Sequence, residues 1–260
     1  MKYSGLYFIP TPTAQPADSS TTAAALVSAL ETLFPTLSRA APWSLVYRLF
    51  RDTAPRTDPS DTPAQHAHTY QHILTNTALA PQRAYVHVTP PATGADGSQH
   101  GTGVVAAIPA SQAEARALLL RHQLAALWTP RHTLSVQSGA AYSGGLFTIH
   151  IGEVRALREG QGGGVSSPGV VVCIATTAGG DSEAGHSGGE KAEAEQNGVE
   201  AVDFEFAQAT IRELWGQIRA RQEPARAEVK EVFMVPQEGG TSDETNATVR
   251  MWCEVLRLRG

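Results

Sequence analysis

The sequence predicts an α+β protein, an antiparallel β-barrel of about eight strands flanked by helices. Three observations carry that expectation. In Phe147-Thr148-Ile149-His150-Ile151 the apolar side chains recur every second residue, the period of a strand with one buried face. In Gly169-Val170-Val171-Val172-Cys173-Ile174-Ala175 the run is apolar throughout and rich in β-branched residues, which suits a strand buried on both faces. The strand segments also follow one another without alternating crossover helices, which points to antiparallel pairing. About eight to nine strands leave exposed edges unless the sheet curls, hence the expectation of closure.

Taken in order, Tyr3 to Ile9 is a strand with Leu6 and Phe8 on one face, ended by Pro10, Pro12 and Pro16. Ser19 or Ser20 can cap a helix running to about Phe34, with Ala23, Leu26, Leu30 and Leu33 on one side and Pro35 as its stop. Pro42 to Phe50 is an aromatic and branched strand. A Pro/Thr/Asp/Ala loop, Asp52 to Gln65, precedes three more strands: Thr69 to Leu74, Arg83 to Val88 and Gly103 to Ile108. A Gly/Pro/Ser loop, Pro90 to Gly101, separates the last two. Ser111-Gln112-Ala113-Glu114 has the form of a capping box. The helix it would start carries Ala113, Ala117, Leu120, Leu124, Leu127 and Trp128 on one side and stops at Pro130.

Thr133 to Val136 is a short strand. The central pair follows, Phe147 to Leu157 with a Gly152-Glu153 interruption, then Gly169 to Ala175, joined by a glycine-rich turn from Glu159 to Ser167. Residues 178–198, rich in Gly, Glu, Ala and Ser, lack the large apolar side chains whose burial offsets ordering entropy, so they are expected to be a disordered insert within a single domain spanning 1–260. A helix from about Asp203 to Ala220 presents Ala207, Ile211, Leu214, Trp215 and Ile218 on one face. Glu228 to Val235 is a short extended piece. Ser242 or Asp243 can cap a last helix in which Ala247, Met251, Val255 and Leu258 share a face.

Composition narrows the function classes. Hydrophobic residues make up 42% of the 260, enough for a core. A formal charge of -5 argues against a free-standing nucleic-acid binder, since phosphate contact needs a cationic surface. Cys173 and Cys253, both in apolar surroundings, read as buried free thiols in a reducing compartment. No signal peptide is expected from the N-terminal residues, and no run reaches the ~20 apolar residues of a membrane helix. Asn246-Ala247-Thr248 is a chance sequon in that setting.

Candidate chemistry is sparse. His66, His68 and His72 could suggest a metal site, but without further ligands they read as a solvated loop entering a strand. His150 falls on the polar side of its strand, a surface or satisfied histidine. Glu193 and Glu195 resemble the paired acids of metal-dependent triphosphatase tunnels, yet such acids belong on inward-facing barrel strands and these lie in the insert. Gly162-Gly163-Gly164 lacks the Lys-Ser/Thr and the helix of a phosphate loop. Neither cysteine has an activating setting. Arg155 and Arg158 read as solvated, or as contacts to an acidic partner. No catalytic, cofactor-binding or metal residue is assigned, and the pattern leans toward an interaction subunit.

The opening Met1-Lys2-Tyr3-Ser4-Gly5-Leu6-Tyr7-Phe8-Ile9 resembles a known family. So do Pro42-Trp43-Ser44, Leu127-Trp128, the block Phe147 to Arg155 with Gly169-Val170-Val171-Val172, and the closing Trp252-Cys253-Glu254-Val255-Leu256. Together, in order and spacing across nearly the whole chain, they resemble subunit 20 of the Mediator complex. The resemblance implies a nuclear, non-enzymatic coregulator of RNA polymerase II transcription, without cofactor, direct nucleic-acid contact or membrane contact. It implies a β-barrel flanked by helices, related in shape to RNA triphosphatase barrels but without their acidic site. It also implies pairing with Mediator subunit 18, itself a similar barrel, and tethering to the other head-module subunits by a tail helix of subunit 8. The rival reading is a barrel hydrolase of phosphate esters.

Overall fold

The computed structural model describes residues 2–11, 16–53, 68–91, 103–157, 166–177, 193–221, 228–235 and 241–258. The strands are β1 (Tyr3–Pro10), β2 (Ser38–Arg39), β3 (Trp43–Asp52), β4 (Tyr70–Asn76), β5 (Arg83–Thr89), β6 (Val104–Pro109), β7 (Trp128–Gly144), β8 (Phe147–Leu157), β9 (Ser166–Thr176) and β10 (Lys230–Phe233). The helices are α1 (Pro16–Leu33), α2 (Ala113–Leu118), α3 (Glu193–Ala220) and α4 (Thr241–Leu256). Every described strand pairing is antiparallel, in the order β10-β1-β9-β8-β7-β3-β4-β5-β6, with β2 paired on β7.

The ladder does not close. Among the described residues β10 pairs only with β1 and β6 only with β5, so the sheet ends in two edges where the sequence reading expected a barrel. It is nonetheless strongly curled. α4 packs against β1 and β10 near one edge and against β4, β5 and β6 near the other. β1 and β5 are six steps apart in the strand order. At about 4.8 Å per step a flat sheet would separate them by about 29 Å, far more than the roughly 10 Å width of one helix. The sheet must bend around α4 for both to touch it.

That arrangement explains the central sequence patterns. Leu6 and Phe8 of β1, Val154 of β8, and Val171 and Cys173 of β9 point inward to Met251, Trp252, Val255 and Leu256 of α4. Their strand neighbours Tyr7, Ile9, Ile149, Ile151, Val170, Val172 and Ile174 point outward, beneath Leu26 and Leu30 of α1 and Ile211, Leu214, Trp215 and Ile218 of α3. β9 is therefore buried on both faces, and both of its residue sets must be apolar. A third cluster packs Ala113, Ala117 and Leu120 against Phe50, Ile73 and Ala84 on the outside of β3, β4 and β5.

Several boundaries differ from the sequence reading. The capping box does not form. A 3₁₀ turn, Ala110–Gln112, leads into α2 without a side-chain cap, and Glu114 instead pairs with Arg48 of β3. A π turn, Leu119–Gln123, ends the segment well before Pro130. Trp128 and Pro130 belong to β7, where Trp128 pairs with Asp52 and Pro130 sits at a register shift that tolerates its missing donor. β7 extends far beyond Thr133 to Val136. α1 begins at Pro16, so Ser19 is not its cap; its hydroxyl donates to Glu153 Oε1 at 2.7 Å and ties α1 to β8. α3 begins at Glu193, ten residues before its expected start, and takes in the last six residues of the expected insert. Leu258 lies beyond the end of α4. The remainder of that insert (178–192), most of the Asp52 to Gln65 and Pro90 to Gly101 loops, and residues 158–165 lie outside the described residues.

Candidate functional site

The polar groups concentrate inside the curl, under the last turn of α4. β4 and β5 place His72 and His87 directly opposite one another, and the rings stack with centroids 5.1 Å apart. His72 is 2% exposed. Its Nδ1 lies 2.8 Å from Tyr47 Oη of β3 and its Nε2 2.9 Å from Thr89 Oγ1 of β5. Tyr47 Oη also donates toward the Cys253 carbonyl of α4 at 3.5 Å. The Tyr47 ring lies 5.8 Å from that of His132 of β7, whose Nε2–H donates to the Leu256 carbonyl at 3.0 Å. Just past α4, the Arg257 guanidinium sits over the Tyr70 ring at 5.3 Å.

Burial sets the protonation states. It holds His72 well below the usual imidazole range, and His87, Arg257 and His132 add like-charge repulsion. His132 is lowered by burial too, partly offset by its bond to Leu256. Burial, with Cys253 in second place, raises Tyr47 well above the ordinary phenol value. The cysteine thiols are also held neutral: burial pushes Cys173 up to about 12 and Cys253 further. Neutral imidazoles, a neutral phenol and neutral thiols in a filled interior do structural work. His132 supplies a donor to the Leu256 carbonyl at the helix C-terminus, and Tyr47 adds a second, longer bond to the Cys253 carbonyl, which also accepts from Arg257 N–H at 3.0 Å.

The residues singled out in the sequence scatter across the structure. His66 lies outside the described residues. His68 Nδ1 contacts Asp52 Oδ1 at 2.7 Å at the rim, away from His72. His72 lies in β4, within the strand expected from Thr69 to Leu74, but it is buried and not solvated. No group of three or more metal-ligating side chains occurs among the described residues. His150 is half-buried, edge-on to Trp43 at 5.7 Å, and burial, reinforced by Lys2, lowers its pKa to about 4. Glu193 and Glu195 fall in the first turn of α3, not on a strand. Arg155 is paired with Glu153 at 3.0 Å. Arg158 and Gly162-Gly163-Gly164 lie outside the described residues. The sequence reading missed His87, His132 and Tyr47. The available signal was the alternation Tyr70-His72-Leu74 and Tyr85-His87-Thr89, which puts each histidine on the same face as a core residue.

Among the described residues there is also a small cleft of about 140 Å³ at the foot of α1, between Phe34, Leu37 and Tyr142. Tyr142 Oη donates to Glu31 Oε1 there at 2.6 Å, and burial together with that carboxylate raises its pKa to about 12. No helix is long and apolar enough to cross a membrane among the described residues.

A curled antiparallel sheet, helices on its outer face and a helix held by polar groups within it define an α+β fold. The sequence profile of the family described as TATA-binding related factor (TRF) of subunit 20 of Mediator complex matches residues 1–257. The chain belongs to the Mediator subunit 20 family, and with it to the Mediator complex and to transcription regulation. No curated protein matches it. Among solved structures, the PH1819 protein from Pyrococcus horikoshii OT3 is similar at 13% identity and a TM-score of 0.32, over 82% of this chain and 90% of that one.

Proposed function

We propose that the chain is a non-catalytic subunit of the Mediator head module, where it pairs with Mediator subunit 18 and is tethered to the other head subunits by the subunit 8 tail helix. It acts in the nucleus, through the complex and without binding nucleic acid itself. The single observation that carries this reading is the family match across residues 1–257. The interior supports it, because the buried histidines and thiols are engaged in packing around α4. In this reading the curled sheet is the incompletely closed counterpart of the barrel the family is expected to share, and the chain is one folding unit interrupted by an insert.

Purification from nuclear extract through a tag on this chain tests the proposal. Subunits 18 and 8 should be recovered at stoichiometric levels. Their absence would overturn the pairing. Sustained, metal-dependent turnover of nucleoside or RNA 5′-triphosphates by the purified chain would replace it with the hydrolase reading.

A further inference from the structure

α4 is bonded to both edges of the open sheet. Lys230 of the β10 edge donates to the Glu254 carbonyl at 2.8 Å. Arg250 of α4 donates to the carbonyl of Gly103, immediately before the β6 edge, at 3.4 Å. Between them, Tyr47 and His132 reach the Cys253 and Leu256 carbonyls. Side chains from β3, β7 and β10 thus converge on a single helical turn. A carbonyl can only accept, so when Tyr47 donates to Cys253 its oxygen accepts from His72 Nδ1–H. One hydroxyl–imidazole chain, Thr89 to His72 to Tyr47, then ends on the helix.

We propose that the last turn of α4 is a proton-sensitive latch: with His72 and His132 neutral it holds the two sheet edges on the helix, and proton uptake by these two imidazoles releases the turn. The groups facing the cluster are Tyr47 from β3, Tyr70 and His72 from β4, His87 from β5, His132 from β7, Cys253 on α4 and Arg257 beyond it. Arg131 bears on His132. Glu254, the acid in the same turn, is exposed, and Asp52 is with His68 at the rim. Among the described residues no carboxylate faces His72 from within the curl. A proton there meets imidazoles and a guanidinium, and the arrangement relieves the charge by letting the turn and Arg257 move outward into water. Each proton taken up on opening multiplies the opening constant about fivefold over the first pH unit below the free imidazole value of about 6.5, and two protons multiply it about thirtyfold.

Hydrogen exchange of the full chain at pH 7.5, 6.5 and 5.5, corrected for intrinsic rates, reads this directly. Opening of residues 250–258 should rise at least tenfold between pH 6.5 and 5.5 while Val170 to Ile174 stay protected. His72→Gln should reduce that rise by about fivefold, the share of one imidazole over this window. Arg257→Gln, at an exposed position, keeps the chain folded even if His72→Gln does not; it removes repulsion from the closed form, so the rise should be smaller than in wild type while its onset stays at the free imidazole value. Equal slopes in wild type and H72Q, a rise in R257Q as large as that of wild type, or simultaneous loss of protection in β9 would each overturn the latch.

Discussion

Gly139 of β7 faces Trp43 of β3 across the ladder, and replacing it with alanine tests how tightly the inner core is set. A Cβ built there lies 2.2 Å from Trp43 Nε1 and 2.4 Å from Cε2. Restoring an ordinary contact of about 3.4 Å requires the indole to move by roughly 1 Å. The indole has little room to do so. It is 3% exposed, its Nε1–H donates to the Ala140 carbonyl at 3.1 Å, and it packs on His150 and, at 5.8 Å, on Trp252 of α4. Overpacking costs about 1–3 kcal/mol, and a buried N–H deprived of its acceptor costs about 1–3 kcal/mol more. The two effects overlap, so Gly139→Ala should destabilise by about 2–4 kcal/mol, a large part of a typical ~5–15 kcal/mol. Urea unfolding followed by circular dichroism measures this, with Gly216→Ala in α3 as the control. Nothing lies within 4 Å of a Cβ at Gly216, so that change should stabilise by about 0.5–1 kcal/mol. Trp43→Phe in the Gly139→Ala background should cost less than the sum of the single changes. A Gly139→Ala loss below about 0.5 kcal/mol, with the control behaving as stated, would refute a clamped indole.

Ile149→Asp should unfold the chain, because it places an unpaired carboxylate at a position 0% exposed beneath α1 and α3. Thr148→Asp, half-buried on the opposite face, should stay folded by circular dichroism, and co-expression with subunit 18 then reports whether that face meets the partner; the reverse folding outcome would exchange the two faces. His150 has a folded pKa of about 4, below the unfolded value of about 6.5. Its contribution is therefore complete above pH 6.5 and lost as pH falls toward 4, by at most about 3 kcal/mol, and His150→Gln should remove that part of the acid slope in urea melts. Replacing residues 178–192 by a short linker, leaving the start of α3 intact, should move the melting temperature by only a few degrees, since loop closure depends weakly on length; a drop of ~10 °C or more would show that the segment packs on the sheet.

Local periodicity made much of the fold readable. The alternation at Phe147-Ile149-Ile151 and the run at Val170 to Ile174 follow directly from burial on one face and on both, and each strand lies where its pattern put it. Long-range pairing was less readable. Ser111 and Glu114 satisfy the local pattern of a cap, but Arg48, distant in sequence and adjacent in space, takes the carboxylate. Trp128 suits a helix face by spacing, yet its backbone pairs with Asp52 of β3. The interior polar cluster was hidden for the same reason. His72, His87 and His132 sit on separate strands, and only the register of those strands and the position of α4 bring them together.

The place of β1 sets a timetable for synthesis. Tyr3 pairs with Thr176 and Gly5 with Phe233, so β1 waits for both of its neighbours until more than two hundred further residues have been made. β3, β4, β5 and β6 neighbour one another in sequence order and can pair while translation continues. α4, which fills the curl, follows every other described element in the chain. The nascent chain therefore carries a half-sheet with an uncovered inner face for much of its synthesis, and closure of the longest loops sets the rate of the final step. Pulse-labelled exchange during refolding should protect β4 and β5 before β1, and simultaneous protection of all three would contradict this order.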